Sequence, residues 1–407
     1  MLSRRIRYSL LVGVLVTIIL CMGIYHGNPN LVMKPALKDL LYEGRIYGKD
    51  KNCKEYISTN RITNIKRLLN MKTTPEVEDH LHRLGYPNRI TTSGDIYIPD
   101  LPDLNIPIPR IPVIVAGASN NHFTEMQAMM HNIDTVLRPV YPDIKVILYD
   151  IGFTESQRQA IINYGRCEFR TFNFEKYPKH VKVIRSYSWK PLIIQEVLNE
   201  YGFIMYMDAS IRFTTGNLTS SFNDVKKKGL THLYAYTYFI PNNTFAETFE
   251  YFNVEPCLLH GLYETGSGLI LVVKNNLYGY AMMRSWLTCG LQRYCFEPKG
   301  SRCQDACGSR KEYHTCHRFD QSALGIAIAM TFLDESHGVP RQFYHVGRGD
   351  RMDYFKNISK GIIGPKSDGR TAGPKSDGKT EPKSGGKTRP NPRSKTGPKP
   401  GGKREHE

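Results

Sequence analysis

Residues 201–213 read YGFIMYMDASIRF. Phe203 to Met207 are apolar without alternation, the pattern of a strand buried on both faces. The run stops at Asp208, passes two small residues, Ala209 and Ser210, and reaches Arg212. A doubly buried strand that ends on an acid belongs to a sheet covered by helices on both sides. In such sheets ligands sit beyond the carboxyl ends of the strands.

The flanking sequence agrees. IPVIVAGAS from Ile111 is a short β-branched run ending in small residues, and TEMQAMMHNIDTVLRPVYP follows at helical period with Thr124 as its candidate cap. KVILYDIG, TESQRQAIINYG, CEFRTFNF and SWKPLIIQEVLNEYG continue the strand–helix alternation into FIMYMDASI. The second half is less regular. HLYAYTYF and GSGLILVVKN read as strands, and LYGYAMMRSWLTCGLQ and DQSALGIAIAMTFL as helices. The fold class is therefore α/β, a Rossmann-type mixed sheet with helices on both faces. Ala118, Ser119 and Asn120 after the first strand share the ligand edge with Asp208.

Composition bounds the partners. The chain has 407 residues and a net charge of +17. Residues 364–407 alone hold twelve Lys/Arg against five Asp/Glu, and Arg4, Arg5 and Arg7 add three more positive charges. What remains on the body does not require a polyanion, so nucleic acid is excluded as the expected partner. Residues 1–7 read as a cytosolic tail. Tyr8 to Tyr25 form an uncharged apolar run preceded by arginines, which predicts a single-pass, type II signal anchor; a cleaved signal peptide with Cys21 and Gly23 at the cleavage site is the rival reading. Both place the body in the secretory pathway. Sequons at Asn217, Asn242 and Asn357 agree, as do eight cysteines beyond the anchor, an even number that suits disulfides. Residues 26–108 read as a luminal stem with some helix and a proline-rich connector, and 357–407 as a disordered, basic Gly/Pro/Lys tail.

Four stretches, in order, resemble the GT-A glycosyltransferases, most of all the glycogenin and galactosyltransferase-like family. They are Lys190 on the helix leading into FIMYMDAS, GSGLILVVKNN at 266–276, FDQSAL at 319–324 and YHVGRG at 344–349. The stretches WKP…MDAS and DQSAL also resemble uncharacterised secretory-pathway proteins of invertebrates. The family resemblance implies a GT-A-like catalytic domain over 109–356 that moves a sugar from a nucleotide-sugar donor to a glycan or glycoprotein, in the Golgi; it leans toward retention of configuration and leaves inversion open. It implies a donor site of Ala118, Ser119, Asn120, Lys190, Asp208, Ser210, Arg212, Gly266, Ser267 and Gly268, with Asp208, Asp320 and Gln321 at the reacting centre. It implies Mn²⁺ on Asp208 and His345. A diphosphate leaving group builds negative charge that a divalent cation or basic side chains must meet.

One departure matters. The family's Asp-x-Asp reads Asp208-Ala209-Ser210 here, so either the metal has fewer ligands, or Arg212 and Lys190 meet the phosphates, or the site is inactive. Plainer readings stand beside each residue. Asp208 fits a strand-end acid capping the next turn, Lys190 a solvated side chain, and His345 a surface histidine. Gly266 and Gly268 fit a tight turn, and Asp320 an acid at a helix start. A non-catalytic carbohydrate- or nucleotide-binding module is the alternative function, and a matrix glycoprotein with a basic tail a third. In the insert 289–316, Cys303, Cys307, His314, Cys316 and His317 can be drawn as a zinc site, but thiols in an oxidising lumen favour disulfides.

Overall fold

The computed structural model describes residues 53, 61–87, 107–301, 314, 316–332 and 339–359. The proposed anchor, the cytosolic tail, residues 360–407, Cys303 and Cys307 lie outside the described residues, whereas 357–359, assigned to the disordered tail from sequence, end a helix. Among the described residues no helix is long and apolar enough to cross a membrane.

In chain order the elements are helices α1 (Arg61–Leu69) and α2 (Pro75–Arg83), strand β1 (Val113–Ala118), α3 (Phe123–Asn132), β2 (Val146–Asp150), α4 (Glu155–Tyr164), β3 (Glu168–Thr171), α5 (Trp189–Tyr201), β4 (Phe203–Met207), β5 (Ile211–Phe213) and α6 (Thr219–Lys228). Then come β6 (Leu230–Phe239), α7 (Ala246–Phe252), β7 (Tyr263–Val273), α8 (Leu277–Gly290), α9 (Arg293–Phe296), α10 (Asp320–Phe332), β8 (Tyr344–Val346) and α11 (Tyr354–Ser359). Six strands form one sheet in the order β3-β2-β1-β4-β7-β6. β3, β2, β1 and β4 run parallel. β7 is antiparallel to both β4 and β6. β5 and β8 make a separate antiparallel pair. Every residue of β4 is buried, with Ile204 and Tyr206 in one core layer and Phe203, Met205 and Met207 in the other, so helices cover both faces.

Local chemistry explains the joints. Thr154 caps α4 through a capping box with Gln157, and Gly165 ends it at φ 65°. Gly202 ends α5 at φ 72°, a left-handed position that suits glycine. Pro191 sits in the first turn of α5, where its missing N–H interrupts no helical bond. The Thr124 cap is not seen. α3 starts two residues earlier, with His122 at the cap position and no side-chain cap bond.

The stem reading needs correction within 61–87. α1 and α2 belong to the body: Ile65, Leu68 and Met71 are fully buried in the same core layer as Trp286. α1 packs against α8 and α10. The Glu78 carboxylate, 2.9 Å from Arg284, and a Cys53–Cys257 disulfide add polar and covalent ties. Polarity misled the sequence reading, because one apolar stripe per short helix suffices to join a core.

The insert carries disulfides, as its cysteines led us to expect, rather than the zinc site that can be drawn there. Cys289 pairs with Cys295, and Cys316 is disulfide-bonded. Both ring nitrogens of His317 are engaged, one accepting from Phe245 N (3.2 Å) and the other donating to Phe296 O (2.9 Å), so the drawn zinc set loses that ligand. Cys167 is free and largely buried, which pushes its thiol pKa up to about 12. Of the sequons, Asn217 is exposed and Asn357 half-buried, but Asn242 is only 4% exposed and Thr244 fully buried, so the folded chain cannot carry a glycan at Asn242.

Candidate active site

The parallel half of the sheet ends at β4, where the antiparallel half begins. Asp208 lies at that junction, immediately after β4, and its backbone N–H donates to Gly268 O on β7 at 2.8 Å. Lys190, from the first turn of α5, reaches the same point. Its ammonium is 2.7 Å from Asp320 Oδ2, 3.2 Å from Asp208 Oδ1 and 3.4 Å from Ser267 Oγ. The rings of Tyr187 and Tyr206 lie 5.2 and 5.3 Å from the same nitrogen. The lysine side chain is 2% exposed, Asp320 6% and Asp208 35%.

Burial alone would drive Lys190 toward neutrality, but the Asp208 and Asp320 carboxylates outweigh it and its pKa is raised. The site therefore holds a buried ammonium between two carboxylates, which leaves one negative charge to be met from outside. Asp208 is the member that faces outward. Its Oδ1 also accepts from Tyr206 OH at 2.6 Å. Burial and the neighbouring Asp208 hold that phenol well above the ordinary tyrosine range. Oδ1 is thus held by Tyr206 and Lys190, while Oδ2, beside Gly268, has only a longer contact of 3.5 Å from the Lys190 ammonium. A Cβ on Gly268 would come within 3.1 Å of Asp208 Oδ2, so a side chain there would crowd the acid.

Two aromatic residues flanking this cluster adopt left-handed backbone, Tyr187 at φ 58° and Phe319 at φ 49°. Their rings are 6.4 Å apart, edge to face. Such conformations cost bulky residues of order 1–3 kcal/mol each and persist where the surroundings over-determine them. Here they precede Lys190 by three residues and Asp320 by one.

The remaining expected residues divide. Ala118, Ser119 and Asn120 sit at the carboxyl end of β1, beside β4. Asn120 is tied to the next loop through Gly152 O (3.0 Å) and the Gln157 amide (2.7 Å), and Ser119 is buried against Asn121. Gln321 follows Asp320 and is half-buried. Ser210 accepts from Gly347 N at 2.7 Å through its backbone, and β8 places His345 opposite Arg212, so both return to the Asp208 turn.

Arg212 does not face a phosphate site. It is buried, donates to Ala209 O (2.5 Å), Ile211 O (2.8 Å) and Glu125 O (3.1 Å), and holds the turn instead. Gly266 lies within β7 rather than in a turn. A Cβ there would come 2.8 Å from Leu233 Cβ, so its close neighbour is the edge strand, not a sugar.

Sequence reading missed Tyr206, whose ring belongs to an apolar run and reads as core. It also missed the His122–Glu125 pair (2.8 Å) at the start of α3. The hydrogen bond to Glu125 raises the His122 pKa, and Asp208 adds to it. Glu125 is held low by His122 and by the Gly349 backbone N–H.

Mn²⁺ tests the donor set. Among the described residues, Asp208 and His345 belong to no group of three ligating side chains within mutual reach; the one such group is Cys53, Glu255 and Cys257, whose thiols form the disulfide. A protein-only metal cage does not fit. One outward carboxylate oxygen with residual charge fits a cation that takes its other ligands from phosphate and water.

Residues 105–195 match a family model described as a protein of unknown function, DUF1647. No curated protein matches. Solved structures with similar folds include the galactosyltransferase LgtC with donor and acceptor sugar analogues (16% identity, 52% of this chain, 69% of that chain, TM-score 0.31). An active-site mutant of LgtC is covered over 58% of its length, at TM-score 0.26 and 17% identity, by 41% of this chain. The mannosyltransferase Ktr4p from S. cerevisiae with GDP matches at 12% identity over 67% of this chain and 86% of that one, TM-score 0.37.

Proposed function

We propose that this chain is a nucleotide-sugar-dependent glycosyltransferase. The observation that carries the reading is the Lys190 ammonium clamped between Asp208 and Asp320 at the parallel-to-antiparallel junction, with Asp208 still one-third exposed. Sheets of this kind take ligands beyond the carboxyl ends of the parallel strands where the strand order reverses, here between β1 and β4, and Asp208 follows β4 at that edge. The four ordered resemblances, at Lys190, Gly266–Asn276, Phe319–Leu324 and Tyr344–Gly349, support the same reading.

In this mechanism Asp208 meets the donor, fixed in orientation by Tyr206 and Lys190 before substrate arrives. Pre-set polar groups cost no reorganisation when charge moves. Lys190 pairs with Asp320 at the start of α10, and Ser267 and Gly268 keep the floor of the site small enough for a sugar to approach. Asp208 would hold Mn²⁺ through its outward oxygen, with His345 as the further protein ligand we propose and phosphate and water completing the set. Bound there, the cation would supply Lewis-acid neutralisation of the departing nucleoside diphosphate.

The reading extends to place. The disulfides Cys53–Cys257 and Cys289–Cys295 suit an oxidising compartment, which supports a Golgi-luminal body behind a type II anchor at 8–25 and a glycan or glycoprotein acceptor. Ser210 in place of a second aspartate favours the second reading, a non-catalytic binder of the same ligands.

A thermal-shift series tests both, using the full chain in detergent with UDP-, GDP- and CMP-sugars, with and without Mn²⁺. A Mn²⁺-dependent rise in melting temperature with one nucleotide, lost in Asp208→Ala, together with release of that nucleotide on incubation, is the expected result. Binding without release supports the non-catalytic module. No rise with any nucleotide overturns both.

A further inference from the structure

Asp320 and Gln321 open α10 side by side, yet they are gripped by different partners. Asp320 is committed to Lys190. Gln321 neighbours Glu264, a residue of β7 four positions before Gly268 and only 1% exposed. The mechanism above makes no use of Glu264. Its Oε2 accepts from Asn243 Nδ2 at 3.1 Å, and its Oε1 lies 3.7 Å from Arg318 Nε. Oε1 has no aligned hydrogen-bond donor, although the atom is fully buried. A buried carboxyl with an unfilled acceptor oxygen is costly to keep unless it orients something.

The surrounding backbone points the same way. Gln321 N donates to Arg318 O at 3.0 Å, Arg318 N donates to Ser322 Oγ at 2.9 Å, and that hydroxyl donates to Asn243 O at 2.7 Å. Trp286 Nε1 donates to Asp320 O at 3.0 Å. The left-handed Phe319 is enclosed by these bonds. The turn that presents Gln321 is therefore fixed from every side, and Glu264 is its buried acidic member.

We propose that Glu264 is the positioning residue for Gln321, receiving a side-chain amide N–H on its carboxylate and so leaving the Gln321 carbonyl oxygen to the bound sugar. This rests on the transferase reading. Four groups face the Glu264 carboxyl: Arg318, Asn243 and Gln321, which favour its charged form, and Asp320, which opposes it. Burial outweighs them and pushes its pKa up to about 7. Below that pH the carboxyl carries its own proton and competes as a donor; above it, the carboxylate can only accept. Activity therefore rises with pH through about 7.

The test uses the full chain and follows hydrolysis of a nucleotide-hexose panel between about pH 5.5 and 8.5. In that reaction water attacks the anomeric carbon, the bond to the diphosphate oxygen breaks, and the attacking water's proton passes to solvent. Glu264→Leu, which removes the acceptor, should lower kcat roughly tenfold or more with KM within about twofold. Glu264→Gln, which keeps an acceptor oxygen but cannot titrate, should retain most of kcat and lose the rising limb near pH 7. A merely structural glutamate predicts no such split.

Selective ¹⁵N-glutamine labelling supplies a readout independent of turnover. The Gln321 side-chain amide, assigned by its absence in Gln321→Asn, should shift with a midpoint near pH 7 in the wild type and stay fixed in Glu264→Gln. An unchanged pH profile in Glu264→Gln, or an amide that does not titrate, overturns the proposal. If the wild type splits no nucleotide sugar, the transferase reading falls, and the amide titration alone decides the Glu264–Gln321 coupling. It decides equally if Glu264→Leu does not fold.

Discussion

The two halves of the sheet are built on different terms. From β1 to β4 the chain alternates strand and helix, and each parallel strand lies against one already made or one crossover away. Its joints are local, such as the Thr154 box and the Gly202 terminus. The half that carries β7, β6 and α10 is held by contacts distant in sequence: Lys190 to Asp320, Trp286 to Asp320, His317 to Phe296, Cys53 to Cys257. The parallel half supplies a platform made of apolar runs. The antiparallel half closes over it with buried polar groups, each of which loses more when a partner is removed than a surface pair would.

That contrast can be broken most sharply at its seam. Lys190→Met removes the shared cation and leaves Asp320 buried and unpaired beside Asp208; a loss of about 3–5 kcal/mol is expected by chemical denaturation, together with loss of nucleotide binding. A variant as stable as the wild type would mean that the seam is ordinary surface.

A middle-sized effect belongs to the antiparallel half alone. Burial holds the His317 pKa down to about 4, against 6.5 when free. The unfolded chain therefore binds the proton first as pH falls. The stabilising contribution is complete above about 6.5 and is lost as pH drops toward 4, a cost of up to about 3 kcal/mol. Melting temperatures measured across that window should fall less steeply in His317→Gln; parallel slopes would remove His317 as the cause.

The smallest effect tests the parallel half by itself. Thr154→Ala deletes the α4 cap and should cost about 1 kcal/mol without altering nucleotide binding. A change in binding would show the platform to be less independent of the site than its local joints suggest.

The same contrast governs what could be read from the residues. β1, β2 and β4 are legible because runs such as VIVAGA and FIMYM bury both faces, and a strand end bearing Asp208 marks the ligand edge. Lys190 was legible only by resemblance, since a lysine before a proline looks solvated. Tyr206 was hidden because its ring is core and only its hydroxyl works. Arg212 was misread because an arginine near an acid suggests phosphate, whereas the backbone carbonyls of Ala209, Ile211 and Glu125 claim it. Glu264 and the burial of Asn242 arise from tertiary closure, and no local pattern announces them. α1 and α2 looked like stem because their apolar faces are one stripe wide and their partners lie more than 200 residues away in the chain.

The Cys53–Cys257 bond spans 204 residues, and that span is also a delay. A ribosome adding about 5–20 residues per second needs roughly 10–40 s to deliver the second cysteine after the first. By then β1 to β4 have long since emerged. The α8 and α10 surfaces that cover Ile65 and Leu68 appear later still. The first helices of the body are thus housed only after α8 and α10 have been made.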